Sequence, residues 1–411
     1  MVFEGRARLI VLCALSLLYF LLMATTFNAL GLVLPFMVSE LNWNWAEAGF
    51  GFTLLGLSCG LTGLVPAVMI RRIGVSPTLL SGALLLVAGF VTLSLTHGVW
   101  AYDAGTVLLG LGFSACGTVP GVYVISHSFE RKSTAIGIYF SSGSLGSVAG
   151  PLLFYAVHAH ASSWRAYWVI AAVLALALGL FAASFTSVKY ATIPNAGNAA
   201  PPDPNAWTAR AALRTVPFYV IVGAYSVFLL INTTIHSFAA QQLRELGFSD
   251  GGTASLLSAA ALVGAVGSAV AGVVGEKLSA RYLTILSLVA AAIGSLGLVI
   301  GAGWLGMGLF VVGLGIGLGF SYVSTAMLLL DFFGKEPNLE LYSMMCMIST
   351  SAALGPALGG LMRDRMGNFD AVFVACAGFG LVLAVMVLLL RRPQAPRGLV
   401  AAPKVLVSEF G

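Results

Sequence analysis

The stretch Lys189-Tyr-Ala-Thr-Ile-Pro194-Asn195-Ala-Gly197-Asn198-Ala-Ala-Pro201-Pro202-Asp203-Pro204 decides how the chain is organised. Proline and glycine at this density stop a helix from propagating, and no other long polar segment interrupts the chain before its tail. On either side, charges and Pro/Gly clusters cut the sequence into apolar runs of about 20 residues, the length that crosses a bilayer as a helix. Upstream the runs are 9–37, 47–70, 76–96, 104–128, 133–157 and 166–186; downstream they are 216–240, 251–275, 281–301, 306–330, 340–362 and 370–390. Continuous runs such as Leu79 to Leu95 lack the alternation of barrel strands. The prediction is an all-α membrane protein with twelve transmembrane helices in two six-helix halves. Residues 1–188 form the first bundle, 189–215 the linker, 216–392 the second bundle and 393–411 the tail.

Of the 411 residues, 59% are hydrophobic and 9% charged, against the roughly 25% charge typical of soluble domains. This excludes a soluble globule, a disordered tail protein, a collagen and a disulfide scaffold. The 49 glycines fit close helix packing in lipid. Cys13, Cys59, Cys116, Cys346 and Cys376 all lie inside apolar runs and read as small hydrophobes. The first run follows Arg6 and Arg8 but is too long for a signal-peptide core, so we expect it to be retained.

The net charge of +5 comes from scattered basic pairs, which report membrane orientation rather than nucleic-acid binding. With the N-terminus inside, only Arg165, Arg244, Arg363 and Arg365 fall outside, and the other 16 of 20 basic residues fall inside. Both termini and the linker are therefore expected in the cytoplasm, in a bacterial inner membrane.

The two halves repeat. Thr25-Thr26-Phe27-Asn28 in span 1 corresponds to Thr233-Thr234-Ile235-His236 in span 7 at an offset of 208, and Glu40-Leu41-Asn42-Trp43 to Glu245-Leu246-Gly247-Phe248 at an offset of 205. The same offset carries Arg71-Arg72 onto Glu276-Lys277 and Gly150-Pro151 onto Gly355-Pro356. General apolarity explains the filler between these landmarks but not the register that the last three share.

The stretch Gly272-Val-Val-Gly-Glu276-Lys277-Leu-Ser-Ala-Arg281 resembles the loop motif of the major facilitator superfamily, which occurs between helices 2 and 3 and between 8 and 9. The resemblance implies a rocking transporter whose acid and bases latch neighbouring helix ends. The first-half copy departs from the motif, with Ala67 and Arg71 at the glycine and acid positions, followed by Arg72. A narrower likeness to the bacterial monocarboxylate porter and oxalate:formate antiporter group rests on Trp45-Ala46-Glu47, Phe129 to Gly137, Gly146 to Pro151 and Trp164-Arg165-Ala-Tyr167-Trp168. That group commonly carries an arginine in helix 8 and often a lysine in helix 11; spans 8 and 11 have no base at depth, and Thr106 stands where a helix 4 arginine is expected. Gly137, Gly146 and Gly150-Pro151 also resemble the helix 5 motif of drug and metabolite antiporters, without its final glycine pair.

The resemblance implies a central cavity lined by helices 1, 2, 4, 5, 7, 8, 10 and 11. Polar residues at mid-depth there are candidates, since unsatisfied polar groups in lipid are costly. We single out Tyr19, Thr25 and Asn28; Thr118 and Tyr123; Tyr139 and Ser142; Asn232, Thr233 and His236; Tyr322; and Tyr342 for substrate binding. His236 is also the candidate proton carrier. Coupling or gating candidates are His127, Asp331, Arg71, Arg72, Glu276, Lys277 and Arg281. No metal spacing, nucleophile constellation or phosphate loop is present, and Gly313 to Gly319 lacks the strand-turn-helix setting of a dinucleotide site.

These features predict a monomeric secondary transporter of a small organic solute by alternating access, without cofactor and with protons as coupling ion. A monocarboxylate is the leading substrate expectation. The alternative is a drug or metabolite exporter working by proton antiport, and a non-transporting membrane receptor ranks behind both. An enzyme would cluster His, Asp, Glu or Cys at one membrane face, and the sequence does not.

Overall fold

The computed structural model describes residues 2–129, 132–186, 207–275, 278–334 and 337–393, with backbone alone at 2–7, 126–127, 132–134, 272–273, 275 and 338–339. Glu276, Lys277, the linker up to residue 206 and the tail from residue 394 lie outside the described residues. All regular structure among the described residues is helical. The first half contains α1 (Val2–Thr25), α2 (Phe27–Leu41), α3 (Trp45–Leu61), α4 (Val65–Ile73), α5 (Val75–Ser94), α6 (Val99–Cys116), α7 (Thr118–Ser128), α8 (Lys132–Ala161) and α9 (Trp164–Phe185). After a short α10 (Ala209–Ala212), the second half contains α11 (Val216–Glu245), α12 (Asp250–Gly275), α13 (Ala280–Ile300) and α14 (Trp304–Phe333). It ends with α15 (Asn338–Ser349), a 3-10 turn (Thr350–Leu354), α16 (Gly355–Met366) and α17 (Asp370–Leu389).

Eleven of these stretches are long and apolar enough to cross a membrane, and the pair α3 and α4, bent by 50°, makes a twelfth. The spans thus match the expected twelve, but four of them are interrupted where we expected single rods. Three interruptions follow from proline. Pro66, Pro120 and Pro356 lack an N–H and crowd the carbonyl four residues back, and the helix breaks before each, at 62–64, at Gly117 and at 350–354. The fourth break, at Thr26, has no proline. There the Thr25 and Thr26 hydroxyls donate to the Leu21 and Leu22 carbonyls at 2.7 and 2.6 Å, a local bond that competes with the helical ladder and bends it.

The 205-residue register recurs in the backbone. Asn42 and Gly247, 205 apart, both have positive φ, as do Ser162 and Gly367. Helix starts obey it too: Trp45 and Asp250, Val75 and Ala280, Val99 and Trp304. The end of the expected linker departs from an open strand, because Trp207 packs edge-on against Phe333 at 5.3 Å and Ala212 is buried.

The apolar cores follow the two halves but join across them, Ala240 and Ala254 entering the first-half core and Trp45 packing on a second-half one, and the contacts between halves gather at the end carrying residues 42–44 and 246–249. There α2 crosses α11, and a Cβ on Gly31 would lie 1.6 Å from the His236 carbonyl oxygen. Along α3, Gly49 meets the Pro356 carbonyl, Gly56 meets Ala353 and Gly60 meets Thr350. Beyond Gly60 the faces of α4 and α15 turn apolar and exposed, at Leu61, Leu64, Val65, Met347 and Ile348. The bundle is closed at the first end and splayed at the other; we call these the closed and open ends.

Candidate substrate cavity

Polar bonds across the closed end are directional. The first N–H groups of a helix have no intrahelical acceptor. In α3 the Asn44 side chain accepts from Glu47 N at 2.8 Å while the Glu47 carboxylate accepts from Asn44 N at 3.0 Å. The two remaining groups, Trp45 N and Ala46 N, donate to the two carboxylate oxygens of Asp364 at 3.0 and 2.8 Å. Asp364 belongs to α16, so a helix of one half is capped by an acid of the other, a charge-assisted pairing favoured by the helix dipole. Ala357 N returns a bond to Thr53 Oγ1 at 3.1 Å. Arg244 stacks over Phe36 of the opposite half at 3.8 Å and pairs with Asp250 at 2.5 Å. A cleft of about 690 Å³ indents this end, with Ser39, Trp45 and Arg244 on its walls.

Immediately behind this seal lie the two strongest sequence candidates. Asn28 sits just past the break at Thr26, where its amide donates to the Met23 carbonyl at 2.8 Å and to Ser147 Oγ of α8 at 3.2 Å. His236, half-buried in α11, has Nδ1 at 2.8 Å from the Asn232 carbonyl. A carbonyl only accepts, so Nδ1 carries the proton and Nε2 is the atom free to take one. Asn232 is half-buried, and its own Oδ1 is buried without a partner. Thr233 spends its hydroxyl on the Leu229 carbonyl at 2.9 Å.

Farther toward the open end the walls are phenolic. Tyr19 itself is core, 4% exposed and stacked on Tyr139 with centroids 4.5 Å apart, and only its hydroxyl meets Thr118, which is exposed at the start of α7. Tyr322 is 45% exposed yet packs edge-on against Phe228 at 5.0 Å and near Tyr225 at 6.2 Å. Tyr342 is half-buried within hydrogen-bonding reach of Tyr225 and Cys346. Tyr123 is half-buried.

Three candidates serve packing instead of facing the cavity. Thr25 is 3% exposed with its hydroxyl bonded inside its own helix. Tyr139 is fully buried and donates to the Gly117 carbonyl at 3.0 Å, plugging the break between α6 and α7. Ser142 donates to the Ser16 and Tyr139 carbonyls. Among the gating candidates, Asp331 pairs at 3.1 Å with Arg392 of its own half rather than across the gap. Arg71 and Arg72 are exposed in the last turn of α4 and form no ion pair among the described residues. Arg281 is half-buried in the first turn of α13. The His127 side chain, Glu276 and Lys277 lie outside the described residues.

Sequence reading missed Asp364, Tyr225 and Phe228. The Asn44-x-x-Glu47 capping box was a visible helix start, but an acid 319 residues away as its second cap leaves no local signal. Tyr225 and Phe228 precede Asn232 at helical spacing, so the stripe could have been extended from the polar residues already chosen.

A two-half helical bundle sealed at one end, with half-buried Asn28, Asn232 and His236 behind the seal, has the form of a membrane transporter of the alternating-access class. The chain matches the Major Facilitator Superfamily model over residues 15–339 and 245–409 and belongs to that family. It is therefore an integral membrane protein and a secondary transporter of a small solute, not an enzyme. It is 29% identical to monocarboxylate transporter 13 of Bos taurus over 77% of this chain and 73% of that protein. A 79-residue stretch is 38% identical to the agnestins efflux protein AgnL12 of Paecilomyces divaricatus, covering 19% of this chain and only 17% of that protein. The nucleoside transporter NupG superposes with a TM-score of 0.78 over 92% of this chain and 99% of that one, at 14% identity, a likeness of fold.

Proposed function

We propose that this protein exports an uncharged small organic solute, taking it up at the open end, which the positive-inside pattern assigns to the cytoplasm, and exchanging it for protons. One observation carries this reading. Among the described residues, the acids and bases of the cavity-lining helices stand near the helix ends, at positions such as Glu47, Arg71, Arg244, Asp331 and Arg363, with Asp103 only the fifth residue of α6. Mid-depth holds phenols, hydroxyls, the Asn28 and Asn232 amides and His236. A fixed charge moved there would lose its hydration without a counter-charge, which is costly. The likeness of one segment to an efflux protein supports the outward direction. His236 Nε2 is the proton-accepting atom in this scheme.

A monocarboxylate substrate is the second reading, favoured by the likeness to monocarboxylate transporter 13 over most of the chain. It lacks a buried base in α12 and α15 to receive the carboxylate. Inside-out vesicles separate the two. Export of uncharged solute predicts proton-driven accumulation of neutral compounds, with a pH dependence that flattens in His236→Gln. Accumulation of carboxylates alone contradicts it, and an unchanged pH profile in His236→Gln rejects the coupling role.

A further inference from the structure

Tyr225, Phe228, Asn232 and His236 follow one another at spacings of three, four and four residues, so they lie along one face of α11. That face is graded: rings toward the open end, amide and imidazole toward the closed end. The Tyr322 ring stands against the aromatic part, edge-on to Phe228 with an interplanar angle of 86°. The residue is 45% exposed, and its hydroxyl comes near Tyr19 and Cys59 of the opposite half, which puts it beside the gap between the halves. The ring is held by its neighbours while nearly half of the residue stays accessible. At the register-matched positions of the first half, Tyr322 corresponds to Gly117 and Tyr342 to Gly137, and a Cβ on Gly137 would meet nothing within 4 Å.

The second observation is the unpartnered Oδ1 of Asn232. A buried amide oxygen can only accept, and it is left unpaired at a cost. One helical turn separates Asn232 from Phe228, a rise of about 6 Å.

We infer that the cavity selects solutes bearing an aromatic ring, which stacks on Tyr322, and an N–H or O–H donor about one helical turn away, which Asn232 receives. This deepens the reading of an uncharged substrate and rests on it. Stacking of aromatic pairs prefers offset or edge geometries and adds a contribution beyond area burial, so a saturated ring of equal size is the discriminating control. The donor requirement follows from Asn232 offering an acceptor with no donor of its own in contact.

The test is thermal stabilisation of the purified full chain by a panel of neutral aromatic alcohols, amides and nucleosides. Each is paired with its ring-saturated counterpart and with its O- or N-methylated counterpart, beside a set of small carboxylates. Stabilisation confined to aromatic, donor-bearing members is expected. Tyr322→Leu should weaken their binding roughly three- to tenfold, as a lost ring pair does, and Asn232→Leu about fivefold, as a lost hydrogen bond does. Tyr322→Phe keeps the ring and should bind as the native protein does, which separates loss of stacking from misfolding. Equal stabilisation by saturated or methylated counterparts overturns the inference while leaving an uncharged substrate in place. So does no stabilisation by any aromatic donor while neutral aliphatic compounds bind. Stabilisation by carboxylates alone, or by no neutral member, overturns both readings.

Discussion

The similar tetrads at 25–28 and 233–236 lie 208 residues apart, three off the 205-residue register, and the first spans a break between α1 and α2 while the second runs on as unbroken helix in α11. Thr25 and Thr26 both back-bond to carbonyls of the preceding turn, whereas in the second tetrad Thr233 does so and Thr234 does not, so a single back-bond leaves the helix unbroken. The fourth residue differs. Asn28 reaches back across the break to the Met23 carbonyl and outward to α8, offering the backbone a substitute partner. His236 bonds one turn back inside an intact helix and keeps Nε2 free. The first tetrad breaks its span and the second is part of a rod bearing a titratable group; we treat the break as the hinge of its half. The two meet where Gly31 lies on the His236 carbonyl.

Substitution at that meeting point has the largest expected effect. Gly31→Ala puts a methyl into the His236 backbone and should cost about 1–3 kcal/mol, as overpacking does. Gly137→Ala, in open space, should stay within about 0.5 kcal/mol; equal melting temperatures for the two variants would break the picture of a backbone-to-backbone seal. Next comes Asn28→Ala, which strips the Met23 carbonyl and Ser147 of their partner, at about 1–3 kcal/mol. It should lower transport more than tenfold while surface expression persists. His236→Ala should be milder for stability, under about 1 kcal/mol, since the helix keeps its backbone bonds. If His236→Ala destabilises as much as Asn28→Ala, the division into hinge and rod is wrong.

The twelve spans and the repeat were legible because lipid demands long apolar runs and because turns keep their register. The four breaks were less so. Pro66, Pro120 and Pro356 marked three in plain view, but a proline inside an apolar run can be absorbed, as Pro35 is in α2 and Pro151 in α8, and only packing decides. Candidate polar residues were harder to sort. A hydroxyl in a helix can bond the preceding turn or face a cavity, and Thr25 and Ser142 took the first course. Asn28 and His236 were found because they break the apolar pattern at the ends of similar tetrads. Asp364 was invisible because its partners are backbone N–H groups of a helix in the other half, and backbone groups carry no sequence signature.

Asp364 also tests the account most directly, because it holds the closed end through Trp45 N and Ala46 N without touching the cavity. Spin labels at Ser39 and Ser249 would report the closed end, and labels at Arg72 and Leu278 the open end. In Asp364→Ala the first distance should lengthen in a larger fraction of molecules as the second shortens, the reciprocal change that alternating access requires. Unchanged distances, or lengthening at both ends together, would contradict a transporter that rocks about a cavity sealed at one end at a time.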